Sequence, residues 1–241
     1  MVKVSDNKKY GIDVSYHQGT IDWGKVKKAG IEFAIIRAGY ANSIDIKFTE
    51  YARRCTALDI PFGVYWFSYA LNEEMARKEA RTCLGVIAPW KISYPVCFDF
   101  EYASLDYAKK NDVNISGKQM VNIAKAFLQE IENAGYYAMN YTNPDFLARG
   151  YHELVDRYDT WLSRWTNSNT PGYQCGIWQY SSTGIIDGIS TNVDLDVAFK
   201  DYPAIINKKE QATNEEADNK EAIKNKIAEI RKNLDELESM V

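Results

Sequence analysis

The stretch YPVCFDFEY, residues 94–102, decides the fold. It is dense in the β-branched and aromatic residues that favour strands, yet it carries Asp99 and Glu101. An ionised carboxylate is costly to bury unless it is paired or hydrogen-bonded, so the pair needs a reason to be there. In a strand, alternate side chains share a face. Asp99 and Glu101 then point one way and Phe98, Phe100 and Tyr102 the other, with the two acidic Cα atoms about 6.5 Å apart. Like charges that close drive their pKa values apart, leaving one group readily ionised and the other protonated near neutral pH, as acid-catalysed bond cleavage requires. Alternatively, the strand ends at its mouth and both groups are solvated or paired with Lys or Arg, since ion-pair networks also perturb carboxylates.

Runs of similar texture lie on either side: KYGIDVSYH (9–17), IEFAIIRAGY (31–40), IPFGVYWFSYA (60–70), YYAMNYT (136–142), DTWLSRW (159–165), CGIWQYSS (175–182) and STNVDLDVAF (190–199). Several are almost continuously apolar, as parallel strands covered on both faces are. Between the earlier ones lie helical segments at 22–30, 48–59, 73–87 and 116–135, the last opened by a Ser116/Gln119 capping box and closed by Gly135. Alternating strand and helix predicts a parallel sheet, and after about residue 155 helices fade while strands continue. The expected fold is therefore α/β, a barrel of five βα units followed by three strands. In such a barrel functional residues gather at the C-terminal strand ends. Asp13, the Asp99/Glu101 pair, and Asp194 with Asp196 would converge on one mouth. Aromatic residues accompany them at strand ends, among them Tyr16, Tyr40, Tyr65, Trp66, Tyr69, Tyr102, Tyr141, Trp161, Trp165, Trp178 and Tyr180. Singly each suits core packing; as a set around acids they suggest a polysaccharide cleft, because Tyr and Trp pair a flat apolar face with a polar handle.

Composition narrows the alternatives. A chain of 241 residues that is 46% hydrophobic can bury a single large core, and a net charge of −4 without a basic cluster argues against nucleic-acid binding. The only histidines, His17 and His152, have no metal-ligand spacing, so no metal or cofactor is expected. No GxSxG elbow, GxGxxG or P-loop stretch is present. His17 reads either as a functional group at the mouth or as a packing residue there. Four widely spaced cysteines without a CxxC pair read as reduced thiols, and no run of 18 apolar residues suggests a membrane span. Beyond about residue 206 the chain is charged and helical in pattern. Thr213 and Glu216 form a capping box, and Ile223, Ile227, Ile230, Leu234, Leu237 and Val241 take a and d spacings. The expected division is residues 1–206 as the barrel and 207–241 as a helical tail. That tail is either a short coiled coil making a homo-oligomer, or a helix packing on its own barrel or connecting to another module.

Taken together, GIDVSYHQG, FAIIRAGY, PFGVYWFSYA, the DFE of FDFEY, YTN, TWLSRW, WQYSSTG and VDLDVAF resemble, in order and spacing over residues 8–201, the Chalaropsis-type lysozymes of glycoside hydrolase family 25. The resemblance implies a flattened TIM-like barrel that cleaves the β-1,4 bond between N-acetylmuramic acid and N-acetylglucosamine in bacterial peptidoglycan with retention. It places Glu101 as general acid with Asp99, Asp13 and Asp194 as its acidic companions, prefers Asp194 to Asp196, where the family often has Asn, and leaves Tyr16, Arg37, Tyr65, Trp66, Tyr141, Trp161 and Gln179 to bind substrate. Trp66 stands where many members have a His. Family habit, with no apolar leader visible after Met1, implies a phage or prophage lysin made in the bacterial cytoplasm and acting on the wall after release. A non-catalytic glycan-binding barrel and a phage assembly component are the alternatives.

Overall fold

The computed structural model describes residues 8–208, 220 and 222–228. Two compact units divide the chain, one up to Pro203 and one from Ala204. In the first, nine strands form one sheet: β1 Lys9–Val14, β2 Phe33–Tyr40, β3 Ser43–Ile44, β4 Phe62–Phe67, β5 Val96–Asp99, β6 Ala138–Thr142, β7 Asp159–Ser163, β8 Ile177–Gly184 and β9 Val193–Ala198. The order is β1-β9-β8-β7-β6-β5-β4-β2-β3, and pairing of β1 with β2 closes all but the short β3 into an eight-stranded barrel. Helices α1 Trp23–Lys28, α2 Phe48–Ala57, α3 Glu73–Ile87, α4 Tyr102–Lys110, α5 Gly117–Asn133 and α6 Pro144–Arg149 follow the first five barrel strands, and β7 to β9 follow one another without an α-helix between them.

Alternation along the strands sorts the core into two layers. Ile12, Val14, Ala34, Ile36, Val64, Trp66, Val96 and Phe98 face outward and pack with helix residues such as Ala80, Cys83, Val121 and Phe127. The intervening positions, including Asp13, Phe33, Ile35, Arg37, Tyr65, Cys97, Asp99, Trp161 and Gln179, fill the barrel and are also buried. The helices begin as their sequences direct. Ser116 caps α5, with Gln119 N–H donating to its Oγ at 3.3 Å and Gln119 Oε1 accepting from Ser116 N–H at 2.9 Å, and Gly135 beyond the other end takes φ +90°, a conformation open to glycine. All four cysteines are free.

Three features depart from expectation. The eighth barrel strand is antiparallel: β9 pairs antiparallel with both β1 and β8. VDLD therefore lies at the start of its strand, and it is the reversed direction that carries Asp194 to the mouth, opposite Asp13. The fourth barrel strand stops at Asp99, and Tyr102, expected to continue it, opens α4. Trp66, expected to bind substrate, lies on the outward face of β4, fully enclosed in the helix layer. It fits because Gly39 beside it lacks a side chain; a Cβ there would fall 2.4 Å from the indole.

In the second unit residues 204–208 and 222–228 are helical, and Ile223 and Ile227 are exposed. The other seam positions and the Thr213/Glu216 box lie outside the described residues. No helix among the described residues is long and apolar enough to cross a membrane.

Candidate active site

At the mouth formed by the C-terminal ends of the parallel strands lies a cleft of about 320 Å³, lined by Asp13, Arg37, Tyr65, Asp99, Glu101, Tyr141, Trp161, Gln179 and Asp194, with His17, Phe67 and Trp165 among the other residues around it. All four acids expected to act together are thus brought to one place. A roomier groove of about 570 Å³ opens around Asp159 and Lys200, at the other end of β7. There Asp159 is paired with Lys200 at 2.7 Å and hydrogen-bonded by Tyr202 at 2.7 Å and Tyr137 at 3.2 Å, which engages its carboxylate in structural contacts.

The two acids of FDFEY share a face even though only Asp99 belongs to the strand. Glu101 keeps an extended backbone, φ −125° and ψ −171°, and serves as N-cap of α4. Its N–H donates to Ser104 Oγ at 3.1 Å, and that hydroxyl donates to Ser68 O at 2.7 Å, which ties the acid-bearing turn to the end of β4. Asp99 is buried and Glu101 half-buried. Their carboxyls lie within hydrogen-bond reach of each other, a contact that needs a proton between them. Burial first, then the charge of Glu101, holds Asp99 well above the usual carboxylate range. Burial also raises Glu101, opposed by its hydrogen bond with Asp99. The deeper acid shifts further because it loses more water. The pair thus holds a proton more tightly than a free carboxyl does.

Hydrogen bonds fix the rest. Gln179 Nε2 donates to Asp13 Oδ2 at 2.8 Å, while its Oε1 faces three donors, Ser163 Oγ at 2.9 Å, Tyr141 OH at 3.2 Å and Trp165 Nε1 at 3.3 Å. One carbonyl oxygen has two lone pairs, which leaves the Tyr141 proton available to the neighbouring Glu101 carboxyl. Trp161 packs against Tyr141 and Tyr65, ring centroids 4.7 and 5.9 Å apart, making an aromatic floor. Burial pushes Asp194 up to about 6. Among the described residues no cluster of three or more His, Cys, Asp or Glu side chains is placed to hold a metal ion.

The one cation lining the cleft among the described residues, Arg37, is held from behind by Asp45, whose Oδ2 accepts from Arg37 Nε at 2.8 Å and Tyr16 N–H at 3.1 Å. Asp45 is buried and was not a candidate from sequence, because a lone Asp in a loop carries no signal until the fold sets it beside Arg37. Tyr16 does not line the cleft; it stands exposed at its edge, its ring tilted 33° against His17 with centroids 4.1 Å apart and lying beneath the Arg37 guanidinium at 4.9 Å. Trp165, named among the strand-end aromatics, was left out of the substrate-binding residues. It is 61% exposed beside the acids, a large apolar surface left open at a cleft rim.

Comparison with known proteins agrees with this architecture. The model of the family described as Glycosyl hydrolases family 25 matches residues 12–189. An autolytic lysozyme of Clostridium acetobutylicum is 24% identical over 195 residues, covering 77% of this chain and 54% of its own length. Lysozyme M1 of Streptomyces globisporus is 26% identical over 215 residues, covering 76% and 65%. The chain thus spans roughly half to two thirds of these relatives. The modular autolysin LytC of Streptococcus pneumoniae, solved in complex with a synthetic peptidoglycan ligand, superposes with a TM-score of 0.70 at 29% identity over 80% of this chain and 47% of that one.

Proposed function

The chain belongs to glycosyl hydrolases family 25, and from that premise we propose that it is a lysozyme, a peptidoglycan hydrolase cutting the β-1,4 bond between N-acetylmuramic acid and N-acetylglucosamine. The observation that carries this is the pairing of Asp99 and Glu101 at the mouth of an acid-lined, aromatic-floored cleft. The relatives' names, lysozyme and autolysin, support the same substrate.

Glu101, the outer acid, protonates the glycosidic oxygen. A glycan laid over the mouth strips the water still around Glu101, which raises its proton affinity relative to Asp99. The shared proton moves outward and Asp99 is left ionised. The ionised Asp99 accepts the N–H of the 2-acetamido group and aims its carbonyl oxygen at C1. That oxygen bonds to C1 as the leaving sugar departs with the Glu101 proton. Water then attacks C1, gives its proton to the Glu101 carboxylate, and restores the acetamido group with net retention. Direct attack by Asp99 fits the geometry poorly. A nucleophile stands about 5–5.5 Å from the acid, across the anomeric carbon, whereas Asp99 lies beside Glu101 in hydrogen-bond reach. Asp13 and Asp194 place negative charge near the oxocarbenium-like transition state, which favours it electrostatically.

Digestion of purified peptidoglycan, followed by borohydride reduction and mass spectrometry of the new ends, tests the activity. Muramitol ends are expected. The absence of new ends on walls that a control muramidase digests would replace hydrolysis by a binding or assembly role. At the cleft rim, Trp165→Ala is expected to raise KM on soluble glycan about tenfold and change kcat less than about threefold, since a stacked sugar face contributes about 1–1.5 kcal/mol and is bound alike in ground and transition states. An unchanged KM in Michaelis curves would remove Trp165 from the binding surface.

A further inference from the structure

The proposed reaction leaves Asp196, an enclosed acid of the barrel interior, without a task. Asp196 is 0% exposed. Its Oδ1 accepts the Trp161 indole N–H at 2.8 Å, and its Oδ2 has no donor within reach among the described residues. The antiparallel register of β9 on β1 sets Asp194 opposite Asp13 and Asp196 opposite Gly11, so all three acids point into the barrel. Asp196 lies one layer below the mouth, diagonal to Asp13, with the two carboxyls at hydrogen-bond reach. Among the described residues Asp13 accepts one amide N–H, from Gln179, and Asp196 one ring N–H, from Trp161. Two bare carboxylates in contact there would repel, with Asp196 wholly enclosed and Asp13 nearly so. A single proton between them turns the repulsion into a hydrogen bond and supplies the donor that Asp196 Oδ2 lacks.

We propose that Asp13 and Asp196 form a second proton-sharing carboxyl pair beneath the mouth, in which Asp196 is a positioning residue that fixes the Asp13 carboxyl and limits the pair to one negative charge. The inference rests on the lysozyme function for its catalytic consequence, but its protonation consequence stands apart from any activity. Burial, ahead of the Trp161 hydrogen bond that opposes it and the Asp194 charge that adds to it, pushes Asp196 to about 8. Burial, then the charges of Asp196 and Asp194, hold Asp13 well above its ordinary range. The other titratable groups facing the pair are Cys97 on β5, Tyr65 on β4, Tyr141 on β6 and Tyr180 on β8. None of these is a cation that would hold both acids ionised.

Asp196→Asn and Asp196→Ala separate the possibilities. The amide keeps an acceptor for Trp161 and brings a fixed N–H donor toward Asp13; alanine offers neither. In melting curves from pH 5 to pH 9, Asp196→Asn is expected to gain Tm over the wild type progressively as pH rises. The sign follows from linkage: a carboxyl raised in the folded chain holds a proton that the unfolded chain releases, so wild-type stability falls as pH climbs from the ordinary carboxylate range through about 8, and the amide has no such loss. A Tm difference independent of pH would overturn the shared proton. For kcat at pH 6, Asp196→Asn is expected within about threefold of wild type and Asp196→Ala more than about tenfold below it, about 1.4 kcal/mol of transition-state stabilisation. Equal losses in the two variants would mean that Asp196 is needed as an anion, and an alanine variant with wild-type kcat would leave it no positioning role. A wild type without turnover would sink the lysozyme function while the melting curves still decide the proton.

Discussion

Glu101→Gln lowers kcat on purified peptidoglycan by about 10²–10⁴, the range over which one general acid acts, and leaves the chain folded. The amide preserves the size of the side chain, and the backbone N–H that bonds Ser104 Oγ is untouched. It has no proton to give the glycosidic oxygen. The fold gains rather than loses at neutral pH. Burial raises Glu101 against the opposing hydrogen bond of Asp99, with the Asp194 charge adding to the rise. The folded chain therefore binds a proton that the unfolded chain gives up above the ordinary glutamate value. Wild-type stability declines as pH rises through the raised value, and the variant escapes that decline. Its Tm should equal the wild-type value near pH 4 and exceed it at pH 7. Near-normal wall lysis by the folded variant would end the assignment, whereas a Tm depressed at every pH would show that the substitution had damaged the turn instead of the chemistry.

Much of this site was legible in the chain because the strand period is two. Once 94–99 is a strand, Asp99 faces opposite to Phe98, and the same alternation turns Asp13, Arg37, Tyr65, Trp161 and Gln179 inward. What failed was reading where polarity gives no contrast. FGVYWF in β4 is buried on both faces, so aromatic character cannot tell Tyr65, which lines the cleft, from Trp66, which packs under the helices. Only parity separates them. The end of β5 was invisible for a related reason: Glu101 keeps a strand-like backbone after the ladder has stopped, and the helix that begins at Tyr102 follows without a break. Strand direction is a third case. VDLD reads the same in either sense, yet direction decides which of its two inward acids reaches the mouth. With β9 antiparallel it is Asp194, the earlier, and Asp196 falls to the layer beneath. The Asp45 clamp on Arg37 depends on tertiary contact alone.

Asp99→Asn should cost about 10²–10³ in kcat, and the two acids of the pair should fail in distinguishable ways. If Glu101 supplies the proton, an aryl glycoside of the same sugar, whose leaving group departs without protonation, restores much of the activity of Glu101→Gln. If Asp99 works by aiming the acetamido oxygen at C1, the same aryl substrate does not restore Asp99→Asn, because formation of the bond to C1 is slowed whatever the leaving group. The asparagine is a sharp probe: it fits the buried space of the acid but cannot carry the negative charge that would accept the acetamido N–H and offset the positive charge growing on that group. Rescue of both variants to the same extent would reduce Asp99 to a keeper of the Glu101 proton, and attack would then have to come from Asp13 or Asp194 across the cleft. Rescue of Glu101→Gln alone separates the roles as their positions suggest: the outer acid, half-exposed at the head of a helix, meets the leaving oxygen, and the inner one, enclosed in the barrel wall, meets the group that attacks.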